Sequence, residues 1–347
     1  MQAFAELSLT AQTAYAQLLE SAVSAEHGRT VADISGSFAA KTVRGQKYWY
    51  FQYTEPAGNL RQVYVGPDND AVRALIEKNL QAPQHKNLGP LARSAAALGC
   101  AEILPRHLRV IQRLSEYGFF RAGGVLIGTH AFLAFGNMLG VRWGDASRTQ
   151  DVDFAHAGKS LSIALPNNFT LDTDAAIKSL EMGLLPVSSM TSKSGASYLS
   201  PKEPDFRLDF LTTMHRGGDE PFTHPQLGVA LQPLKFMEFS LIDIQQAVLI
   251  AGDKAVVVSV PDPARYALHK LIVYGERKGS FAVKSNKDLM QAGFLLSRLK
   301  DTREWEVEEA WRDLKGRGKG WVDRVKRGRT ALAKAFPALN AAEWLAL

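Results

Sequence analysis

Residues 148–155, RTQDVDFA, put two aspartates into a stretch whose other members read as buried strand. Side chains two apart on a strand share a face, so Asp151 and Asp153 project together while Val152 and Phe154 enter a core. The chain must then build a sheet that is apolar on one side and carries a carboxylate pair on the other. At that separation like charges repel and one pKa rises unless a cation holds the pair together. Hard divalent ions with oxygen ligands, Mg²⁺ or Mn²⁺, suit such a pair. Asp209 in RLDFL, flanked by Leu208 and Phe210, is the expected third acid, from a neighbouring strand. The plain alternative is an edge strand with solvated acids, because D-x-D alone is a weak signal.

A second feature stands ahead of the acids. FFRAGGVLIGTHAFLAFGNMLG passes from strand-like (119–127) to helix-like (129–138), with Gly128 at the junction. Glycine lets the backbone come close to a phosphate, and a helix start with the Thr129 hydroxyl nearby favours an anion. The spacing from Gly123 to Gly128 matches the G-x-x-x-x-G-K-[ST] phosphate loop, but Thr129 and His130 replace its last two residues, so an ATPase loop of that kind is rejected. G-x-G-x-x-G is absent as well.

The rest of the chain falls into three parts. Residues 1–115 read as an N-terminal helix, a hairpin in QKYWYFQYTEPAGNLRQVYVGP turning at 56–59, and helices between 68 and 117 broken near Pro83 and at Gly89-Pro90. Residues 116–255 alternate short strands (DVDFA, SLSIALP, FRLDFLTT) with helices such as DTDAAIKSLEMG, which starts near an Asp N-cap. Residues 256–347, after KAVVVSVPDP, are helical, with helices expected over 263–277 and 284–299 and through most of the rest. The expected class is α+β: a mixed sheet with flanking helices, an N-terminal helical and hairpin region, and a C-terminal helical domain.

Composition narrows the partners. The 347 residues are 46% hydrophobic, enough for an ordinary core, and the lone Cys100 permits no internal disulfide or zinc cluster, which fits a reducing, cytoplasmic setting. No cationic leader or long apolar run suggests secretion or a membrane span. The net charge of +6 favours a polyanionic partner, and KGRGKGWVDRVKRGRTALAK (315–334) sets many basic residues against the single acid Asp323.

Taken together, the residues resemble the DNA polymerase β-like nucleotidyltransferase superfamily, with Gly128-Thr129 opening a helix, Asp151-Val152-Asp153 on a strand and Asp209 on a later strand. GTHAFLAFG, RTQDVDF, ALHKLIVYGER and KSNKDLMQA, in that order, are similar to the minimal nucleotidyltransferases related to AbiEii toxins. Thr129 stands where that family more often has Gly or Ser. The resemblance covers about 119–299 and implies transfer of a nucleoside monophosphate from an NTP to a hydroxyl. It implies Asp151, Asp153 and Asp209 as metal ligands, with Asp209 alternatively the general base. It also implies Lys270 as a catalytic cation and Gly128, Thr129, Arg148, Arg277, Lys287 and Asp288 as nucleotide-binding residues. RNA such as tRNA is the acceptor it suggests, with a toxin-like role and an antitoxin partner.

Other readings stay open. The alternatives are that the acceptor is a protein side chain or small molecule, or that the core is inactive and the chain binds nucleic acid. In the hairpin, Tyr48, Tyr50 and Gln52 share one face and Trp49, Phe51 and Tyr53 the other, either as stacking surface with Lys47 and Arg61 at the edge or as core. His130 either reaches a nucleotide or caps its helix; His215 and His224 have nothing to recommend them as ligands. Arg148 binds phosphate or pairs with an acid, and Lys270 and Asp288 have solvated or pairing alternatives.

Overall fold

The computed structural model describes residues 4–27, 36–43, 45–54, 60–81, 88–144, 149–157, 171–187, 195–214, 218–277 and 282–346. The chain opens with a short strand, β1 (Phe4–Glu6), and the expected helix, α1 (Leu9–His27). Strands β2 (Gly36–Val43), β3 (Gln46–Thr54) and β4 (Leu60–Pro67) make a three-stranded antiparallel sheet. The expected hairpin is β3 and β4, and its turn lies outside the described residues. Strand β2 was not expected, since GSFAAKTV has few strand-forming residues; pairing with β3 overrides that weak local preference. Helices α2 (Asp70–Gln81), α3 (Gly89–Ala97) and α4 (Pro105–Glu116) follow, the last two with proline in the first turn, where its missing N–H is not needed.

Next come β5 (Gly124–Ile127), α5 (Gly128–Met138), β6 (Val141–Trp143), β7 (Asp151–His156), α6 (Thr173–Lys178), β8 (Leu185–Pro186) and β9 (Ser197–Ser200). The long β10 (Glu203–Thr213), β11 (Phe222–His224) and β12 (Val229–Leu234) complete the central sheet. Its order is β11-β12-β10-β7-β5, with β9 on β10 and β8 on β9. Strand β10 runs parallel to β7 and β12 and antiparallel to β9, and β5 is antiparallel to β7, so the sheet is mixed and the class α+β, as expected.

Val152, Phe154, Leu208 and Phe210 are fully buried, and the Phe154 and Phe210 rings stack at 5.2 Å. The strand expected from 119 begins only at Gly124; Phe119 instead tucks its ring beside Gly124, 2.2 Å from where a Cβ would stand. SLSIALP lies outside the described residues. Asp172 caps α6 as expected, accepting from Ala175 N at 2.8 Å.

After α7 (Met237–Ser240), β13 (Gln245–Ala251) and β14 (Lys254–Val260) form a separate hairpin that packs against α1, α3, α4 and α5. In QQAVLIA the side chains of Val248 and Ile250 enter a cluster with α1, while Ala247, Leu249 and Ala251 join the central core. A strand buried on both faces shows no alternation, which hides it in the sequence.

The helical tail is α8 (Pro263–Glu276), α9 (Ala282–Thr302), α10 (Glu304–Gly316), α11 (Lys319–Ala335), a 3₁₀ turn at Pro337–Leu339 and α12 (Ala341–Trp344). Helix α8 starts at Pro263 behind Asp262, which accepts from Arg265 N at 2.9 Å. It crosses α11 very closely. A Cβ on Gly275 would lie 2.1 Å from the Arg324 carbonyl oxygen, and one on Gly328 2.3 Å from that of Leu271. One hydrophobic cluster runs from Ile103 to Leu345 and joins the sheet to the tail, placing α8 and α9 beside the start of α5. Among the described residues, no helix is long and apolar enough to cross a membrane.

Candidate active site

Strands β7 and β10 run parallel with Asp151 opposite Arg207 and Asp153 opposite Asp209. Alternate residues share a face, so these four make a square of charges on the side away from Val152, Phe154, Leu208 and Phe210. Ser197 of β9 is opposite Asp209 from the other direction. Arg207 Nε donates to Asp209 Oδ1 at 2.6 Å and its Nη2 to Ser197 Oγ at 2.9 Å, while Ser197 Oγ donates to the same Asp209 oxygen at 2.5 Å.

Ile127, the last residue of β5, is opposite Asp153, so the next residue arrives at the carboxylate. Gly128 has φ of +63°, and a Cβ there would lie 2.1 Å from Asp153 Oδ2. Two independent requirements, a left-handed backbone and room for a carboxylate, therefore select glycine.

The tail helices close the site from the other side. Tyr266 of α8 donates its hydroxyl to the Gly128 carbonyl at 2.8 Å and stands 3.0 Å from Gln291 Oε1 of α9. Gln291 Nε2 reaches Thr129 Oγ1 at 3.4 Å, which fixes the hydroxyl at the start of α5. One turn after Tyr266, Lys270 Nζ donates to Asp288 Oδ1 at 2.6 Å, and Arg277 Nη1 donates to the other Asp288 oxygen. Lys284, Lys287, Asp288 and Gln291 follow the i, i+3, i+4, i+7 spacing of a single helix face.

The electrostatics agree with this convergence. Burial, then the Asp209 charge, pushes the Asp153 carboxyl up to about 6, against the pull of Lys270 and Lys287. Asp151 is also raised, by burial first and Asp209 second, with Lys284, Arg207 and Lys287 opposing. Burial would favour neutral Lys270, but the Asp288 carboxylate outweighs it and holds the ammonium above the usual lysine range. Lys287 is lowered, by burial and then by the Lys270 charge.

Asp151, Asp153 and Asp209 offer only carboxylate oxygen, the donor chemistry of a hard divalent ion, and the raised carboxyls are what a cation would relieve. Among the described residues, no three His, Cys, Asp or Glu side chains close into a metal-holding group, and Asp209 Oδ1 is taken up by Arg207 and Ser197.

Of the sequence-named residues, Gly128, Thr129, Asp151, Asp153, Asp209, Lys270, Arg277, Lys287 and Asp288 come together, whereas Arg148 and His215 lie outside the described residues. His130 neither caps its helix nor faces the acids: its Nε2 lies 2.9 Å from His107 Nδ1 in the core. His224 is buried against the His156 ring. Arg207, Ser197, Tyr266, Lys284 and Gln291 were missed. Arg207 was accessible through its two-residue offset from Asp209, and Tyr266 through its four-residue offset from Lys270.

The curated proteins include no match to the chain. The crystal structure of an antigenic nucleotidyltransferase-like protein from Paracoccidioides brasiliensis is similar at 15% identity and a TM-score of 0.36, over 71% of this chain and 94% of that one. A family profile described as nucleotidyltransferase matches residues 106–315, more than half of the chain and all of the elements that carry the charge square and its cations. The chain belongs to that family and is an enzyme of nucleotidyl transfer.

Proposed function

We infer that the enzyme moves a nucleoside monophosphate from an NTP to a hydroxyl, with Asp151 and Asp153 holding Mg²⁺ or Mn²⁺ and Asp209 a further ligand or the general base. The observation that carries this is the meeting of Gly128 with the Asp153 carboxylate, within the electrostatic reach of Asp209, Lys270 and Lys287. When bound, a divalent ion there supplies Lewis-acid polarisation of phosphate oxygens.

The chain's own groups do the rest. Backbone N–H groups at the start of α5 and the Thr129 hydroxyl bind a phosphate oxygen. Lys270, oriented by Asp288, and Arg277 stabilise the negative charge that grows on the departing pyrophosphate, with Lys287 alongside. Arg148, just ahead of the acids in sequence, is assigned to phosphate. Asp209 takes the acceptor proton in the reading where it is the base.

RNA such as tRNA is the preferred acceptor, supported by the basic sequence of α11 and the likeness to AbiEii-related enzymes, which also carries a toxin-like role and an antitoxin partner. The test incubates the protein with each of four α-labelled NTPs, Mg²⁺ and separated RNA, protein and small-molecule fractions. Label entering RNA, and lost in Asp151→Ala, is the expected result. Label in another fraction moves the acceptor, and nucleotide binding indifferent to Mg²⁺ and to Asp151→Ala overturns the reading.

A further inference from the structure

We propose that the β2–β4 sheet is a binding platform for single-stranded nucleic acid, separate from the carboxylate site and independent of the acceptor assigned to it. Register puts Tyr48, Tyr50 and Gln52 of β3 on one face with Lys41 of β2 and with Tyr64 and Gln62 of β4. The Tyr64 ring lies 5.6 Å from that of Tyr50 and 6.2 Å from that of Tyr48, and Tyr64 is 54% exposed. Lys41 Nζ stands 4.9 Å from the Tyr50 ring centroid and donates to Gln62 Oε1 at 2.5 Å. On the opposite face, Trp49 donates to Asp68 just ahead of α2 at 2.9 Å, so the helix is fastened away from the tyrosines.

Three phenol rings, amides and an ammonium on one accessible surface make a poor core. They are the groups that hold a single strand: aromatic faces stack on bases, and cations meet phosphates. The tyrosine face carries the cation Lys41, and the three strands hold not one Asp or Glu; Lys47, over the Trp49 ring, and Arg61, opposite Tyr53, belong by register to the other face. A duplex keeps its base faces stacked inside, so this surface selects for unpaired strands. An acidic protein partner would be drawn by the cations but would gain little from the rings.

The test is fluorescence anisotropy of the full-length protein with a short labelled RNA strand, the DNA strand of the same sequence, and the DNA duplex, across a salt series. Both single strands are expected to bind at least roughly tenfold more tightly than the duplex. Tyr64→Ser and Tyr50→Leu should each weaken single-strand binding roughly tenfold, while Tyr64→Phe, which keeps the ring, retains it. Lys41→Gln should flatten the salt slope by about 0.7. Because Tyr64 is exposed, Tyr64→Ser leaves the fold intact by circular dichroism and its result is interpretable even if Tyr50→Leu unfolds the sheet. Duplex binding as tight as that of the strands, no binding at all, or Tyr64→Ser binding like the parent protein would overturn the proposal; in the last case the affinity resides elsewhere, for instance on α11.

Discussion

The central sheet and the β2–β4 sheet each set unlike side chains on their two faces, yet they differ in what lies against them. In the first, Val152, Phe154, Leu208 and Phe210 are completely covered, which frees the opposite face to hold charges in fixed positions. In the second, Phe38 and Phe51 meet edge to face but are only partly buried, and Val43, Val63 and Tyr64 are each at least half-exposed. Alternation in a strand therefore says that two faces differ; whether either becomes a core depends on what packs there.

The sharpest contrast is catalytic. Asp151→Ala or Asp153→Ala should lower kcat/KM by roughly 10³-fold or more, while Tyr64→Ser should leave transfer to a small acceptor unchanged; matched labelling rates check both. Next comes stability. Phe154→Ala should destabilise by about 3–5 kcal/mol, whereas Phe38→Ala should cost under about 1 kcal/mol, read by chemical denaturation. Equal losses would break the comparison.

A smaller effect has the opposite sign. Asp153 has a folded pKa near 6, above its unfolded value of 3.8, so it favours folding at low pH and that contribution is lost as pH rises through about 6. Asp153→Asn should thus abolish transfer and yet raise stability at pH 8, by at most about 3 kcal/mol since the residue is only half-buried. Thermal melts of the variant and parent settle the sign.

The smallest effect is acid sensitivity. His107, His224 and His269 are lowered to about 4 and His130 to about 3, chiefly by burial. Unfolded histidine, near 6.5, then binds protons that the folded chain refuses, so stability should fall below pH 6.5, by on the order of 1 kcal/mol per histidine at pH 6. His130→Gln should shallow that slope in denaturation curves taken from pH 8 to pH 6.

Much of the site was readable because its determinants are local. Apolar neighbours on either side of Asp151, Asp153 and Asp209 disclose strands, and a glycine between a strand and a helix discloses a tight turn. Ser197 was not read, because its importance comes from register between strands that the sequence does not state, whereas Arg207 stands two residues before Asp209 on the same strand and was within reach of the pattern. Tyr266 was overlooked for a similar reason: an aromatic on an apolar helix looks like core until its hydroxyl finds the Gly128 carbonyl. Strand β13 was hidden by burial on both faces, and β2 by weak local preference. The His107–His130 pair illustrates the converse, a residue next to the glycine junction that turns inward.

The Tyr266 hydrogen bond to the Gly128 carbonyl reaches 138 positions along the chain. A shortened protein ending before α8 would keep Asp151, Asp153 and Asp209 but lose the strut that sets the pitch of the glycine turn, together with Asp288 and both cations it grips. Any partner that levers α8 outward would thus loosen the turn and withdraw positive charge in one movement, a single handle by which the enzyme is silenced without touching a carboxylate.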